Sequence, residues 1–397
     1  MLKLHTRLPE RWDEEPFIVR VRTGPAPKVP SDSSDAMLCK DSGNSTASRL
    51  FLPAQDRTSA LDRSRPESLR LPEAFEYLAD GDIVRVSPTH GELWVMYRRD
   101  SRFNSMLLTE RCNSFCVMCS QPPKAVDDSY LVDAFLEAIP LISPDTPELG
   151  ITGGEPTLLG KRLLDLIATC RDELPQTALH MLSNGRLFQY LPLCQDLAAI
   201  QHPDFMIGIP LYSDLAHKHD FVVQARGAFD QTIRGFMNLQ RCGLRTELRI
   251  VLHRATVDRL PQLAQFISRN LPFIEHVALM GLEMMGFVRM NLDALWIDSV
   301  DYQPQLAEAV QTLSHHGMNV SIYNHQLCVL DRALWPFARM SISDWKNEYL
   351  DDCATCAVRE DCGGFFSSSS LRRSDHIRAL RPDEITAPID SSCDLLT

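Results

Sequence analysis

From residue 103 onward the chain alternates between two hydrophobic rhythms. Short apolar runs, FNSMLLT, ELGITGGE, ALHMLSNG, FMIGIPLYS, TELRIVLHR and HVALMGLE, read as strands. Between them, apolar positions recur every three or four residues in SYLVDAFLEAIPLI, KRLLDLIATCRDE, LPLCQDLAAI, FDQTIRGFMNLQRCG and RLPQLAQFISRNL. In FDQTIRGFMNLQRCG the residues Phe229, Ile233, Phe236 and Gln240 keep the helical step, and Gly243 is placed to end it. Six strands alternating with helices over roughly 220 residues predict an α/β fold with a parallel sheet. A partial (β/α)6 barrel fits better than a closed eight-stranded one, because two units are missing. Ligands in such sheets collect at the carboxyl ends of the strands. The segments CNSFCVMC, GGEP, SNG and LYSD all fall at those ends.

Upstream the pattern changes. GDIVRVSPTHGELWVMYRR alternates apolar and polar positions around Gly91, which predicts a β-hairpin, and PFIVRVR adds a further strand. Residues 24–75 are rich in Pro, Ser, Asp and Arg and read as a linker or a long surface excursion. The expected organisation is a small β-rich N-terminal region (1–100), a barrel (101–325), a Cys-rich region (326–370) and a tail (371–397).

An apolar fraction of 44% across 397 residues suffices for a substantial core. The formal net charge of −12 argues against a broad surface for phosphate backbones, though not against a local basic groove. The N-terminus is charged and lacks the apolar stretch of a secretory signal, and no apolar run is long enough to cross a bilayer. The expectation is a cytoplasmic protein without a membrane partner.

Of twelve cysteines, seven fall into two groups. Cys39, Cys170, Cys194, Cys242 and Cys393 are scattered, and Cys170, Cys194 and Cys242 sit in apolar helical stretches as small buried hydrophobes. Disulfides are not expected in the cytoplasm, so clustered thiols point to metal or redox chemistry. Cys112, Cys116 and Cys119 form C-x3-C-x2-C. On a helix they would make one buried stripe. Structural zinc would need a fourth ligand, and neither His90 nor His180 has a ligand-like spacing. A four-iron cluster on three thiolates leaves one iron open for a substrate or cofactor. One strand later, Gly153 and Gly154 let the backbone approach a ligand closely and Glu155 offers a carboxylate to an ammonium group, or GGEP is a plain connecting turn. Cys328, Cys353, Cys356 and Cys362 supply four thiols, enough for either zinc or a four-iron cluster, and Gly363–Gly364 permits a tight chain reversal beside them.

Taken in order, the cysteine trio, GGEP, SNG at 183–185 and LYSD at 211–214 resemble the radical S-adenosylmethionine (SAM) superfamily over about residues 103–325. The stretch from HDFVV to DRLPQL is similar to the fourth-to-fifth unit of its peptide-modifying members. The resemblance implies a [4Fe-4S] cluster on Cys112, Cys116 and Cys119 whose open iron chelates SAM. Reductive cleavage of SAM then gives a 5′-deoxyadenosyl radical that abstracts a substrate hydrogen. It implies that Glu155 holds the SAM ammonium, Ser183 and Asn184 line the ribose, and Ser213 lies near its polar groups. Arg249 suits the SAM carboxylate as a fork-shaped donor, and suits an internal salt bridge equally well. Met118 departs from the aromatic residue common before the third cysteine, although a thioether still packs against adenine.

The second cysteine group resembles shortened SPASM or twitch regions and implies one auxiliary [4Fe-4S] cluster, with zinc as the alternative. LLTERCNSFCVMCSQPPK, SISDWKN and CGGFFSS resemble the radical SAM maturase family of the His-Xaa-Ser system, HxsC. That resemblance implies modification of a small His-Xaa-Ser repeat peptide, a second radical SAM protein as companion, an electron donor, and no nucleic-acid partner. Modification of RNA or a small molecule, and a non-catalytic iron–sulfur or zinc protein, are the competing readings.

Overall fold

The computed structural model describes residues 4–9, 11–23, 34–40, 48–52, 67–340 and 348–386. The first seven strands are β1 (His5–Arg7), β2 (Phe17–Thr23), β3 (Asp35–Lys40), β4 (Ser48–Phe51), β5 (Ser68–Leu71), β6 (Ile83–Ser87) and β7 (Glu92–Tyr97). They form one sheet in the order β1-β7-β6-β2-β3-β4-β5. Pairing is antiparallel except between β2 and β3. The hairpin expected around Gly91 joins β6 to β7, with Gly91 at φ +63°. Alternation buries one face: Val19, Val21, Leu50, Leu69, Leu71, Val84, Val86 and Leu93 make its core with Phe75.

The linker reading of residues 24–75 needs correction. Among the described residues this stretch supplies β3, β4 and β5, whose Ala36, Leu38, Leu50, Leu69 and Leu71 are buried. Each is a four- to six-residue strand, and the Pro/Ser/Asp-rich sequence between them masks an alternation too short to stand out. SISDWKN, Cys393 and the tail beyond residue 386 lie outside the described residues.

The second sheet is wholly parallel. Its strands are β8 (Asn104–Leu107), β9 (Glu148–Thr152), β10 (Ala178–Leu182), β11 (Phe205–Pro210), β12 (Arg245–Leu252), β13 (His276–Gly281) and β14 (Asn319–Tyr323). They lie in sequence order and the two edge strands do not pair, so the sheet is an open partial barrel. The six expected strands are present, and β14 adds a seventh.

The crossovers carry α1 (Tyr130–Ala138), α2 (Lys161–Glu173), α3 (Leu191–Ile200), α4 (Ala216–Val223), α5 (Ala228–Arg241), α6 (Arg254–Val257), α7 (Leu260–Asn270), α8 (Leu292–Leu295) and α9 (Gln303–His315), with α10 (Pro382–Thr386) after the last strand. Strand residues facing the helices are sealed off, among them Ile151, Met181, Ile207, Ile250 and Leu279. They pack with Leu163, Leu166, Ile167 and Cys170 of α2 and Phe236 and Leu239 of α5. Each such side chain contributes about 1.5–3 kcal/mol on burial. This layer holds the sheet curved, so that inward residues such as Leu182, Arg249 and Met280 line a hollow. Among the described residues no helix is long and apolar enough to cross a membrane.

Candidate active site

The segment after β8 that carries Cys112, Cys116 and Cys119 is a loop, not a helix, so the thiols are not a buried helical stripe. Several anchors shape it. At its base, buried Asp128 accepts from the Thr109 hydroxyl and the Glu110 amide. At its middle, the Phe115 and Val117 amides donate to Val223 and Val222 at the end of α4, at 3.1 and 2.9 Å. At its far end the Cys119 carbonyl accepts from the Phe287 amide at 2.8 Å.

Gly153 and Gly154 form the other half of this fit. Their amide neighbours hold the loop: Gly154 donates to Thr109 at 2.7 Å and Glu155 to Arg111 at 2.8 Å. A Cβ on Gly154 would stand 2.2 Å from the Arg111 carbonyl oxygen, and one on Gly153 2.6 Å from that of Thr109. The close approach that the glycines permit is therefore to the cysteine loop itself.

A cavity of about 500 Å³ opens where these segments meet. Its walls include Cys112, Cys116, Cys119, Gly153, Gly154, Ser183, Asn184 and Arg249. Residues from the ends of several different strands thus converge on one space.

Glu155 and Ser213 are placed differently. Glu155 is fully buried and does not line the cavity. Its carboxylate accepts from the Thr157 amide and hydroxyl, from the Ser183 hydroxyl at 2.8 Å and from the Asn184 amide at 2.6 Å. Burial pushes this carboxyl above the usual range, against the pull of those hydrogen bonds. Ser213 is likewise buried, and its hydroxyl accepts from the Leu215 amide.

Asn184 is tied to the cysteine loop, its amide donating to the Asn113 side chain at 2.6 Å and lying 3.8 Å from the Cys112 sulfur. Arg186 grips the same loop through the Asn113 carbonyl and the Ser114 hydroxyl. Arg249 pairs with Glu247 at 2.6 Å, as the internal salt-bridge reading expects, while also lining the cavity. Glu247 also contacts His276 at 2.7 Å and His180 at 3.4 Å, and these partners together hold its carboxyl far below the usual range despite burial.

The sequence did not single out Arg186, Glu247, Met280 or Asn324 as residues, and Tyr212 entered only as part of LYSD. Arg186 carried a local signal as the residue after SNG. Glu247 and Met280 reach the site through strand register, which no short window contains.

Burial raises the pKa of all three loop thiols, and that of Cys116 to about 12. Left to themselves these groups stay protonated, so a bound cation is what would ionise them. The donor set suits a cluster with one iron to each thiolate. Among the described residues no three His, Cys, Asp or Glu side chains converge closely enough to share a single ion.

Cys328, Cys353, Cys356 and Cys362 surround a separate small hollow of about 20 Å³ with Arg359 and Arg378 at its edge. Burial raises the thiol pKa of Cys328 and Cys362, and the Leu380 amide donates to the Cys356 sulfur at 3.4 Å. Gly364, at φ +62°, turns the chain beside them as expected. Cys170 and Cys194 are buried among apolar side chains.

Residues 106–267 match the family model of the Radical SAM superfamily. No curated protein matches the chain. Among solved structures it is similar to Streptococcus suis SuiB bound to precursor peptide SuiA, at 14% identity over 55% of this chain and 48% of that one, with a TM-score of 0.43. It is similar to anSMEcpe with bound AdoMet and Cp18Cys peptide, at 12% identity over 69% and 91%, with a TM-score of 0.48. A third is the coproporphyrinogen III oxidase HemN from Escherichia coli, at 13% identity over 54% and 53%, with a TM-score of 0.43. The chain spans about half the length of the SuiB chains it matches.

Proposed function

We propose that this chain, whose residues 106–267 match the Radical SAM superfamily model, is a radical SAM maturase acting on a ribosomally made peptide. The observation that carries this reading is the convergence on one cavity of three thiols from a single loop with Gly153, Gly154, Ser183, Asn184 and Arg249. Cys112, Cys116 and Cys119 would hold a [4Fe-4S] cluster. Bound there with SAM, it supplies one-electron cleavage of SAM and hydrogen abstraction from the substrate, at the expense of an electron donor.

The protein's own residues position these groups. Arg249, held through one of its nitrogens by Glu247, would receive the SAM carboxylate. Asn184 and Ser183 would face the nucleoside, and buried Glu155 would act through them, since its lone pairs are already taken by their donors and those of Thr157. Ser213 would steady the loop before α4. Tyr212 and Met118 give the cavity apolar and aromatic surface against which adenine can pack.

The C-terminal region (326–370) would carry one auxiliary cluster of the SPASM or twitch kind on Cys328, Cys353, Cys356 and Cys362. Support comes from four thiols around one hollow and from the Arg359 guanidinium in its wall, which would offset the charge of thiolates. The substrate would be a small His-Xaa-Ser peptide, with a second radical SAM protein as companion. LLTERCNSFCVMCSQPPK runs along the cavity and CGGFFSS joins it to the second site, which is where substrate contacts belong. Clustered thiols without disulfides would suit a reducing, cytoplasmic setting.

Anaerobic reconstitution tests this. Iron and sulfide are counted, and 5′-deoxyadenosine is then measured with and without a synthetic His-Xaa-Ser peptide. Loading with about eight irons and SAM cleavage stimulated by the peptide are expected, since two four-iron sites are proposed. Uptake of zinc alone, or iron loading with no SAM cleavage, would overturn the enzyme.

A further inference from the structure

The cavity continues past the barrel rim. A second hollow of about 70 Å³ lies between the ends of β13 and β14 and residues 363–374. The two spaces share Gly281, Leu282, Asn324 and Phe366 in their walls, so they form one continuous groove. The far wall of the smaller one carries Arg372 and Arg373.

Both arginines are exposed, and no described carboxylate lies within ion-pair distance of either. In a chain with a net charge of −12, two adjacent unpaired guanidinium groups at the mouth of a groove depart from the bulk electrostatics. The Arg372 guanidinium sits 4.3 Å over the Trp296 ring. Stacking occupies the face of the guanidinium and leaves its N–H edge open to a planar acceptor.

The junction between the hollows is itself unusual. Asn324 adopts φ +61°, a left-handed conformation rare outside glycine, and its side chain donates to the Gly281 carbonyl at 3.3 Å. A Cβ on Gly281 would stand 2.4 Å from the Asn324 carbonyl oxygen. Asparagine tolerates this conformation better than most side chains, and the missing Cβ of Gly281 lets the two strand ends meet closely, which sets the shape of the junction.

We infer that this groove is a carboxylate subsite for the peptide, with Arg372 and Arg373 as its anion-binding pair. The inference rests on the proposed peptide-modifying function and adds the chemical identity of one recognition element. Two sources share that chemistry: an Asp or Glu side chain, or the C-terminal carboxylate of the peptide. A segment held there would be led along Phe366 and Asn324 toward the cysteine loop.

Three synthetic peptides with one His-Xaa-Ser unit, each carrying the same uncharged fluorophore, distinguish the cases. One carries an internal Glu and a C-terminal amide, one carries Gln and a free C-terminal carboxylate, and the neutral control carries Gln and an amide. Anisotropy titrations use the reconstituted full chain with SAM. At least one acidic probe should bind about tenfold more tightly than the neutral one, as expected for a charge-assisted pair. The identity of that probe names the source.

The Arg372→Gln/Arg373→Gln double variant should lose the preference. An unchanged melting temperature and iron content would show that the fold is intact, and Arg372→Lys should keep only part of the preference. Equal binding of all three probes, no binding of any, or an acidic preference that survives in the double variant would overturn the inference. SAM cleavage is read separately on the unaltered protein. Its absence alongside an Arg-dependent preference would remove the proposed enzyme and leave the subsite standing.

Discussion

At the scale of single residues, Glu155 shows how a motif and its geometry part company. A carboxylate after two glycines at a strand end reads as a group offered to a ligand. In the fold it turns inward and accepts from Thr157, Ser183 and Asn184. Glu155→Ala would strand several buried donors at once and should lower unfolding stability by at least about 3 kcal/mol, read by chemical denaturation of the reconstituted chain. Glu155→Gln keeps one acceptor oxygen and should cost about half as much. Near-native stability for the alanine variant would mean that water replaces the carboxylate freely. The acidity of two buried histidines belongs to the same scale. Burial pulls His219 and His253 down to about 4. Between roughly pH 6.5 and 4 the unfolded chain binds protons that the folded chain refuses, so stability falls as the pH drops through that window. His253 also accepts from the Ala255 amide as the N-cap of α6. Asn can keep that cap without titrating. His253→Asn should therefore flatten the stability–pH slope by up to about one proton, and an unchanged slope would place its titration elsewhere.

At the scale of elements, the barrel was legible because a parallel sheet covered by helices writes itself as continuous apolar runs separated by amphipathic stretches. The N-terminal sheet was only half legible. Its hairpin announces itself with Gly91, whereas β3 to β5 bury two described side chains each within polar sequence. The candidate site follows the same division. Thiols and glycines are visible as local spacing. The Arg249–Glu247–His276 chain exists only once β12 and β13 are in register. The seating of the cysteine loop against β9 is the element contact on which the site depends most. Gly154→Ala places a methyl group 2.2 Å from the Arg111 carbonyl, and that neighbour is backbone and cannot swing aside. The variant should fold its sheets but lose iron at the first site, with all three cysteines intact. Iron counts and the visible absorption of the cluster check this; full iron loading would show that the loop tolerates displacement.

At the scale of the whole molecule, the two cysteine sites are joined by one short length of chain. Asn324 lines the large cavity and Cys328 lines the four-cysteine hollow, and four residues can span at most about 14 Å. Gln326 and Phe365 lie in the walls of both the groove and the four-cysteine hollow, so the space between the sites is bounded by the same few residues. On the proposed reading the four-cysteine site would act on the occupant of the groove without taking part in SAM binding, because its thiols are absent from the cavity wall. Cys356→Ala should then leave substantial 5′-deoxyadenosine formation while modified peptide falls below about a tenth of the wild-type yield, a loss of more than 1.4 kcal/mol in the later step. The two products are measured in one reaction by mass spectrometry. A parallel fall in both would assign the second site to holding the fold. Loss of 5′-deoxyadenosine with the peptide yield intact would contradict any order in which SAM cleavage precedes modification.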